Sequence, residues 1–364
     1  MRKVSYTVII MLLLASCSEV FNPDIEYAEP FLCIEGELGT QPGTYFVYLN
    51  ISRSYNEWPY FEGETGADVH VIGENGDRIS YEDLGGGSYS TMITEGNAPE
   101  IGKSYCLEVI TSDGSVFRST PQTIVPSPEV KRLYCMAGEE TILTEDSYGE
   151  AYEEEFKGMK LLIETDGILP SDNFYLYKYK AYEEHHTRLQ YEYDYYELYQ
   201  HRRLSGKYSN IIHTVNADEF GDLKVREDEL VFIIASDMRN YEPVYPDTFT
   251  FVSTRFEGLL FKLQQYSLSS DAYRYFRDAE DQLNAEGHLF DAAYAQVTGN
   301  IECITDPERK VIGVFYASDI SEYIAYMYIN SRNQTYSQKL DELPELWLDT
   351  CSWHLPEDWI RPLF

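Results

Sequence analysis

The sequence predicts a mainly β protein made of two sandwich-like domains in succession. Short segments rich in β-branched and aromatic residues recur through the first third of the chain, separated by Gly, Asn and Asp turns. The pattern changes to helical spacing near residue 270. Hydrophobic residues make up 43% of the 364 positions, which is enough to build a core and excludes a globally disordered chain.

The first domain is predicted over residues 30–125 as an antiparallel β-sandwich of the Ig-like or prealbumin-like kind. Its strands are expected at residues 31–36, 45–51, 66–72, 88–91, 104–109 and 115–119. Asn75-Gly76 predicts a hairpin turn, because both residues tolerate the backbone that two-residue hairpin loops require. The glycines at 85–87 predict another turn, and the proline-containing stretch 124–128 predicts the linker that closes the domain.

The second domain is predicted over residues 129–364 as a β-sandwich-like fold with a helical insertion. Its strands are expected at residues 156–165, 174–182, 230–235, 249–253, 311–317 and 323–329. The helix is expected near residues 267–286, because Ser270-Asp271 can cap its start and Gly287 can end it.

The N-terminus has the layout of an export signal. A basic start precedes an apolar stretch at residues 8–14, and small residues then lead into Cys17. The stretch is too short to span a bilayer comfortably, so residues 1–16 are predicted to be a signal peptide. The arrangement resembles a bacterial lipobox, which implies lipidation of Cys17 and a tether at residues 17–29. The alternative is an ordinary secretory signal with a chance cysteine.

The acidic balance of the chain limits its partners. Lys and Arg total 28 against 62 Asp and Glu, a formal net charge of -34 at pH 7. Such a charge repels nucleic-acid phosphates and anionic lipid headgroups, so no nucleic-acid partner is expected. The simplest interpretation of the charge is solubility at a crowded surface.

The six cysteines are widely spaced. With Cys17 lipidated, five remain in an oxidising compartment, where at least one disulfide is expected. We suggest that Cys303 pairs with Cys351, although sequence spacing does not fix the connectivity. The chain contains no C-x₂-C pair, so no zinc or other metal site is expected.

A tyrosine-rich stretch at residues 191–199 is the main candidate for binding. Tyrosine offers an apolar face and a polar tip, which suits stacking on a sugar or contact with a peptide or partner protein. The alternative is a strand pair whose tyrosines are half-buried against the sheet. The candidate residues are Tyr191, Tyr193, Tyr195, Tyr196 and Tyr199, with Trp58, Tyr60 and Trp353 as lesser candidates.

The sequence gives no support for nucleophilic catalysis. It contains no G-x-S-x-G elbow and no nucleotide-binding glycine motif, so no cofactor is expected. His185 and His186 are adjacent, and neighbours on a strand point to opposite faces, so they cannot chelate a metal together. The abundant carboxylates leave a glycosidase-like pair open.

Several segments resemble one family of bacterial lipoproteins. They are Glu29 to Gly36, Gly66 to Val71, Gly102 to Tyr105 and, most specifically, Gly287-His288-Leu289-Phe290-Asp291, Gly299-Asn300-Ile301 and Val311 to Phe315. In order and spacing they are similar to domain-of-unknown-function family 4249 of the Bacteroidota, over nearly the whole mature chain. Residues 140–203 match least well, and the family's cysteine-rich tail is reduced to Cys351-Ser352-Trp353.

The resemblance implies a place and a partner. Members are similar in being lipoproteins often encoded beside TonB-dependent outer-membrane receptors. The implied role is a non-enzymatic accessory subunit that helps such a receptor capture a peptide or glycan. The implied location is the outer membrane, lipid-anchored and facing the exterior, as the Ser18-Glu19 flank also suggests. The alternative is a stand-alone glycan-binding adhesin or a hydrolase.

Overall fold

A computed structural model describes residues 30–53, 61–146, 151–166, 174–203, 213–216, 225–234, 250–283, 297, 299–329 and 335–341. Within these ranges the chain is mainly β, as predicted, with a single helix. The strands of the first part are β1 Leu32–Gly39, β2 Gly43–Ser52, β3 Phe61–Gly63, β4 Asp68–Gly73, β5 Arg78–Gly85, β6 Ser88–Ile93, β7 Ser104–Ile110, β8 Val116–Ser119 and β9 Gln122–Thr123. The remaining elements are β10 Val130–Glu145, β11 Ala151–Asp166, β12 Phe174–Tyr191, β13 Asp194–Arg203, β14 His213–Asn216, β15 Val225–Ile234, β16 Thr250–Leu268, helix α1 Ser270–Leu283, β17 Ile301–Cys303, β18 Val311–Ser318, β19 Ile320–Ile329 and β20 Thr335–Leu340.

The first unit is a sandwich formed by one bent sheet. Its strand order is β17-β8-β7-β4-β5-β6-β2-β1-β18, with β3 on β2 and β9 on β7. Strand β5 pairs with β4 up to Tyr81 and with β6 from Glu82, so the sheet folds over at that point. Alternate residues of each strand point inward, and one core includes Ile34, Val47, Leu49, Val71, Leu107, Val109 and Phe117.

The hairpin between β4 and β5 forms where Asn75-Gly76 predicts it. Gly76 has a φ of 85°, and its N–H donates to the Gly73 carbonyl at 2.8 Å. A side chain would be strained at that φ, so glycine fits this turn.

The first sandwich contains a strand that the sequence boundary assigned to the second domain. Strand β18 pairs in parallel with β1, from Leu32 opposite Val311 to Gly39 opposite Ser318. Strand β17 likewise adds to β8. The assignment of residues 311–317 to the second unit was therefore wrong, because β18 pairs with β1, a strand far away in sequence. The pairs that β1 to β9 form with one another are antiparallel, as predicted for residues 30–125.

The second unit consists of two facing sheets. One has the order β10-β11-β15, and the other has the order β13-β12-β16-β19-β20 with β14 on β12. Their shared core includes Leu133, Leu161, Ile163, Tyr177, Phe261 and Leu263. Strands β12 and β16 are 18 and 19 residues long, far longer than the segments expected from sequence.

Helix α1 packs against both units: Tyr273 stacks on Phe174 of β12 with ring centres 4.5 Å apart, and Phe276 lies against Tyr316 of β18 with ring centres 5.3 Å apart. Its N-terminus is capped by Ser269, whose Oγ accepts from the Ala272 N–H at 3.2 Å, one residue before the predicted cap. The apolar side chains of Ala272, Tyr273 and Phe276 belong to the core of the first sandwich. Gly287, the predicted helix stop, lies outside the described residues.

The two units meet at a junction centred on Asp319, the single residue between β18 and β19. Its carboxylate accepts from Thr40 Oγ1 at 2.7 Å and from the Ser127 N–H at 2.8 Å. Ser267 Oγ donates to the Val125 carbonyl at 2.7 Å. The linker predicted at residues 124–128 is thus hydrogen-bonded to Ser267 of β16 and to Asp319 at the junction.

Candidate binding surface

The tyrosine-rich stretch forms the tip of the β12–β13 hairpin. Tyr191 pairs with Asp194, which leaves Glu192 and Tyr193 as a two-residue loop. Glu192 has a φ of 54°, the left-handed backbone that such loops require, and its carbonyl accepts from Gln190 Nε2 at 2.9 Å. The hairpin therefore presents Tyr193 at its extreme end, where 94% of the residue is exposed.

Five large apolar side chains are exposed near this hairpin end, and we call them the aromatic tip. They are Tyr191, Tyr193, Tyr195, Phe251 and Val252. Phe251 of β16 pairs with Leu189 of β12 and so lies on the same face as Tyr191, whereas Tyr195 pairs with Gln190 and lies on the opposite face. The aromatic tip therefore exposes rings on both faces of the end of the sheet. The Arg188 guanidinium lies 4.2 Å from the centre of the Tyr195 ring, a cation–π contact that orients this ring. Exposed groups of apolar and aromatic side chains are typical of interaction sites, which makes the aromatic tip a candidate binding surface.

The aromatic tip lies at the end of its sheet that is remote from the junction. Strand β12 starts with Phe174 opposite Leu268, beside the junction, and reaches Gln190 opposite Thr250 at the other end. Its 18 residues span ~60 Å at about 3.3 Å per residue. Strand β1 runs toward the junction from its first residue, Leu32. The start of the described chain and the aromatic tip are therefore separated by the junction.

Strand β12 also shows the alternative role for tyrosine. Tyr175, Tyr177 and Tyr179 lie in its first half and are buried in the core of the second unit. Burial raises the pKa of the Tyr179 hydroxyl above its usual range, so this group stays protonated. The same tyrosine-rich strand thus fills a core near the junction and exposes its aromatic rings at the tip.

The remaining candidates from the sequence lie in part outside the described structure. Tyr196 and Tyr199 are in β13, opposite Leu189 and His186. Cys17, Trp58, Tyr60, Cys351 and Trp353 lie outside the described residues. The pairing of Cys303 with Cys351 stays a prediction, and the Cys303 sulfur is 3.4 Å from Thr305 Oγ1.

The two adjacent histidines have different partners. His185 is buried, with its Nε2 2.9 Å from Glu183 Oε2. His186 has its Nδ1 3.6 Å from Glu257 Oε1. Across the described ranges, no three His, Cys, Asp or Glu side chains are grouped in a way that could hold a metal ion.

Sequence reasoning missed a cluster of tyrosines around Lys178 at the junction. The Lys178 ammonium donates to Glu37 Oε2 at 2.7 Å and to the Tyr316 hydroxyl at 2.6 Å. It also lies 4.8 Å from the centre of the Tyr266 ring. Burial, reinforced by Glu37, holds the pKa of Tyr316 well above its usual range. The cluster joins β1, β12, β16 and β18, so no single stretch of the sequence could predict it.

Comparison with known proteins adds a family. A family model described as Domain of unknown function (DUF4249) matches residues 18–324. Among solved structures, the chain is similar to a DUF4785 family protein from Legionella pneumophila at 10% identity and a TM-score of 0.18. That match covers 64% of this chain and 52% of the other, so the chain spans about half the length of that protein, and a similarity this weak informs neither fold nor function. No curated protein matches the chain.

The described part of the chain contains no helix with the length and apolar character needed to cross a bilayer. The family match extends from just after the predicted signal peptide, through both sandwich units, into β19. On that extent of match, the chain belongs to the DUF4249 family.

Proposed function

We propose that this protein is a non-enzymatic outer-membrane lipoprotein that captures a peptide or glycan as an accessory subunit of a TonB-dependent receptor. The observation that carries the binding role is the aromatic tip, with Tyr193 94% exposed at a hairpin end. Folding gains little from an aromatic side chain left in water, so a ligand or partner is the better reason for placing it there.

The position of the aromatic tip supports capture at a distance from the membrane. In the proposal, the lipidated Cys17 anchors the chain and the tether leads to Pro30, next to the start of β1. The junction then lies between the anchored end and the aromatic tip. This arrangement holds the exposed tyrosines away from the bilayer, where a ligand or an extracellular part of a receptor would be met.

The chemistry of the aromatic tip fits peptide or glycan ligands. Tyrosine rings stack on the apolar faces of sugars and pack on peptide side chains, while their hydroxyls form hydrogen bonds. Arg188, already stacked on Tyr195, adds a fixed donor group beside that ring. A stand-alone adhesin would use the same surface, and the presence of a receptor in the complex distinguishes the two roles.

The test is purification of the full-length lipoprotein from detergent-solubilised outer membranes of its own host. We expect a β-barrel receptor to co-purify with the wild-type protein, and Cys17→Ser to remove both membrane association and the receptor. Recovery of the lipoprotein without any barrel partner would overturn the receptor role.

Single substitutions separate the aromatic tip from the rest of the surface. Tyr193→Ala is expected to weaken binding of the receptor or ligand at least fivefold, about 1 kcal/mol, because hot-spot tyrosines contribute at least that much. Tyr152→Ala is the matched control, since Tyr152 is also an exposed tyrosine but lies on β11. Equal binding by Tyr193→Ala and the wild type would exclude the aromatic tip as the binding surface.

A further inference from the structure

The first sandwich carries a pocket on its outer face, in a different unit from the aromatic tip. The cavity has a volume of about 220 Å³ and opens to solvent. That volume is below the range of drug-sized ligand sites and suits a single side chain or a small headgroup. Its lining residues are Cys33, Ile34, Glu35, Tyr48, Asn50, Phe61, Tyr275, Ile312 and Gly313.

The pocket arises from the way helix α1 covers the sheet. On β1 the outward-facing side chains include Cys33 and Glu35, and Tyr48 of β2 lies directly opposite Glu35. Helix α1 covers the neighbouring β18, where the Phe276 and Tyr316 rings are 5.3 Å apart. Tyr275 of the same helix remains beside the uncovered part of the sheet and forms one wall of the pocket.

The opposite side of the pocket is closed by strand β3. Phe61 pairs with Ser52 at the end of β2 and is 56% exposed. The pocket is therefore lined by three aromatic rings, those of Tyr48, Phe61 and Tyr275, together with Glu35.

Glu35 is the charged group of this pocket. No Lys, Arg or His among the described residues lies within ion-pair distance of its carboxylate. Desolvation by its neighbours raises the pKa of Glu35, while the nearby Lys178 opposes this shift and Glu37 adds to it. The Lys178 ammonium is already engaged by Glu37 and the Tyr316 hydroxyl. Glu35 is thus an exposed carboxylate that lines the aromatic pocket and has no ion-pair partner among the described residues.

We propose that this pocket binds an organic cation, the side chain of a lysine or arginine in a peptide or partner protein. Aromatic faces attract ammonium and guanidinium groups, and a carboxylate in the lining supplies a charge-assisted hydrogen bond. The net charge of -34 draws cations toward the whole surface. A sugar would need several fixed polar partners, whereas the lining offers mainly apolar and aromatic side chains with Glu35 and Asn50. The site does not depend on the function proposed for the aromatic tip.

The test is to titrate small probe molecules into the folded, unlipidated chain from residue 18 onward and to measure binding by NMR chemical shifts or calorimetry. The probes are N-acetyl-lysine-methylamide and N-acetyl-arginine-methylamide, with N-acetyl-glutamine-methylamide and methyl glucoside as uncharged controls. We expect the two cations to bind and the uncharged probes to bind at least about tenfold more weakly, since the charge-assisted contact is lost.

Two substitutions test the pocket itself. Glu35→Gln preserves shape and removes the charge, and it is expected to weaken cation binding at least about tenfold. Tyr48→Ala removes one aromatic wall and should weaken it about threefold or more. Glu82→Gln, at an exposed acid on β5, is the control for non-specific attraction and should leave binding unchanged.

Three outcomes would overturn the proposal. They are unchanged cation binding by a folded Glu35→Gln variant, an equal loss in Glu82→Gln, and tighter binding of methyl glucoside than of the lysine probe. The last outcome would reassign the pocket to sugars. Failure of receptor co-purification would bear on the aromatic tip alone, because the pocket is titrated with small probes.

Discussion

Replacing Asn300 by alanine is expected to lower the free energy of unfolding by about 2–6 kcal/mol. The Asn300 side chain is buried, and its amide pairs with the backbone of Phe315 as a neighbouring strand would. Its Nδ2 donates to the Phe315 carbonyl at 2.7 Å, and its Oδ1 accepts from the Phe315 N–H at 2.9 Å. Alanine would leave the N–H and C=O of Phe315 without a hydrogen-bond partner in a buried position that water does not reach. Each such unsatisfied group costs roughly 1–3 kcal/mol.

The effect is measured by urea denaturation of the chain from residue 18 onward, followed by far-ultraviolet circular dichroism and intrinsic fluorescence. Asn97→Ala is the matched control. Asn97 Oδ1 accepts from the Thr94 N–H at 2.6 Å and its Nδ2 donates to the Met92 carbonyl at 3.2 Å, but the residue is exposed. Water can satisfy those groups, so we expect a loss of at most about 1 kcal/mol. A loss below about 1 kcal/mol for Asn300→Ala, or equal losses for the two variants, would refute the reasoning.

Two further predictions concern polar contacts elsewhere. Tyr316→Phe should lower the free energy of unfolding by about 1–3 kcal/mol in the same assay, because it removes a hydroxyl that accepts from the Lys178 ammonium while keeping the buried ring; no change would contradict a role for this hydroxyl. Hydrogen bonds from the Thr111 hydroxyl, then from the Ser115 N–H and then from the Arg309 guanidinium hold the pKa of Asp113 below its usual 3.8. The stabilisation by ionised Asp113 is therefore complete above pH 3.8 and is lost as the pH falls through the lower folded-state pKa. Asp113→Asn should thus be less stable than the wild type at pH 7, with the gap in urea midpoint closing in acid, whereas a gap independent of pH would show that the carboxylate charge is irrelevant.

Local features of the fold could be predicted from the sequence because their causes are local. The Asn75-Gly76 turn and the alternation of β1 each depend on a few neighbouring residues. The helix also follows from its own spacing, within a few residues at each end. The distal half of the β10–β11 ribbon could not be predicted, because Glu153, Glu154 and their neighbours are exposed on both faces and lack alternation.

Contacts between distant parts of the chain account for the features that sequence reasoning missed. Parallel pairing of β18 with β1 leaves no local signal, although Gly313 reflects it: with a φ of 141°, a Cβ there would stand 1.8 Å from the Ile34 carbonyl oxygen. The role of Asn300 in the segment Gly299-Asn300-Ile301 is likewise not apparent from local sequence, because its side chain hydrogen-bonds to Phe315. The tyrosines of the aromatic tip were visible as candidates, but their neighbour Phe251 joins them only through the register of β16.

The parallel pairing of β1 with β18 also determines how the molecule would respond to force. A ligand pulled at the aromatic tip loads the second unit, whose strand β19 continues through Asp319 into β18. In the proposed arrangement, a lipid anchor would hold the opposite end, at the start of β1. Because the two strands run side by side in an eight-residue register, tension draws them in opposite directions along their length. Their hydrogen bonds are then sheared together and not unzipped one at a time, so the pair resists separation under a load applied along the two strands.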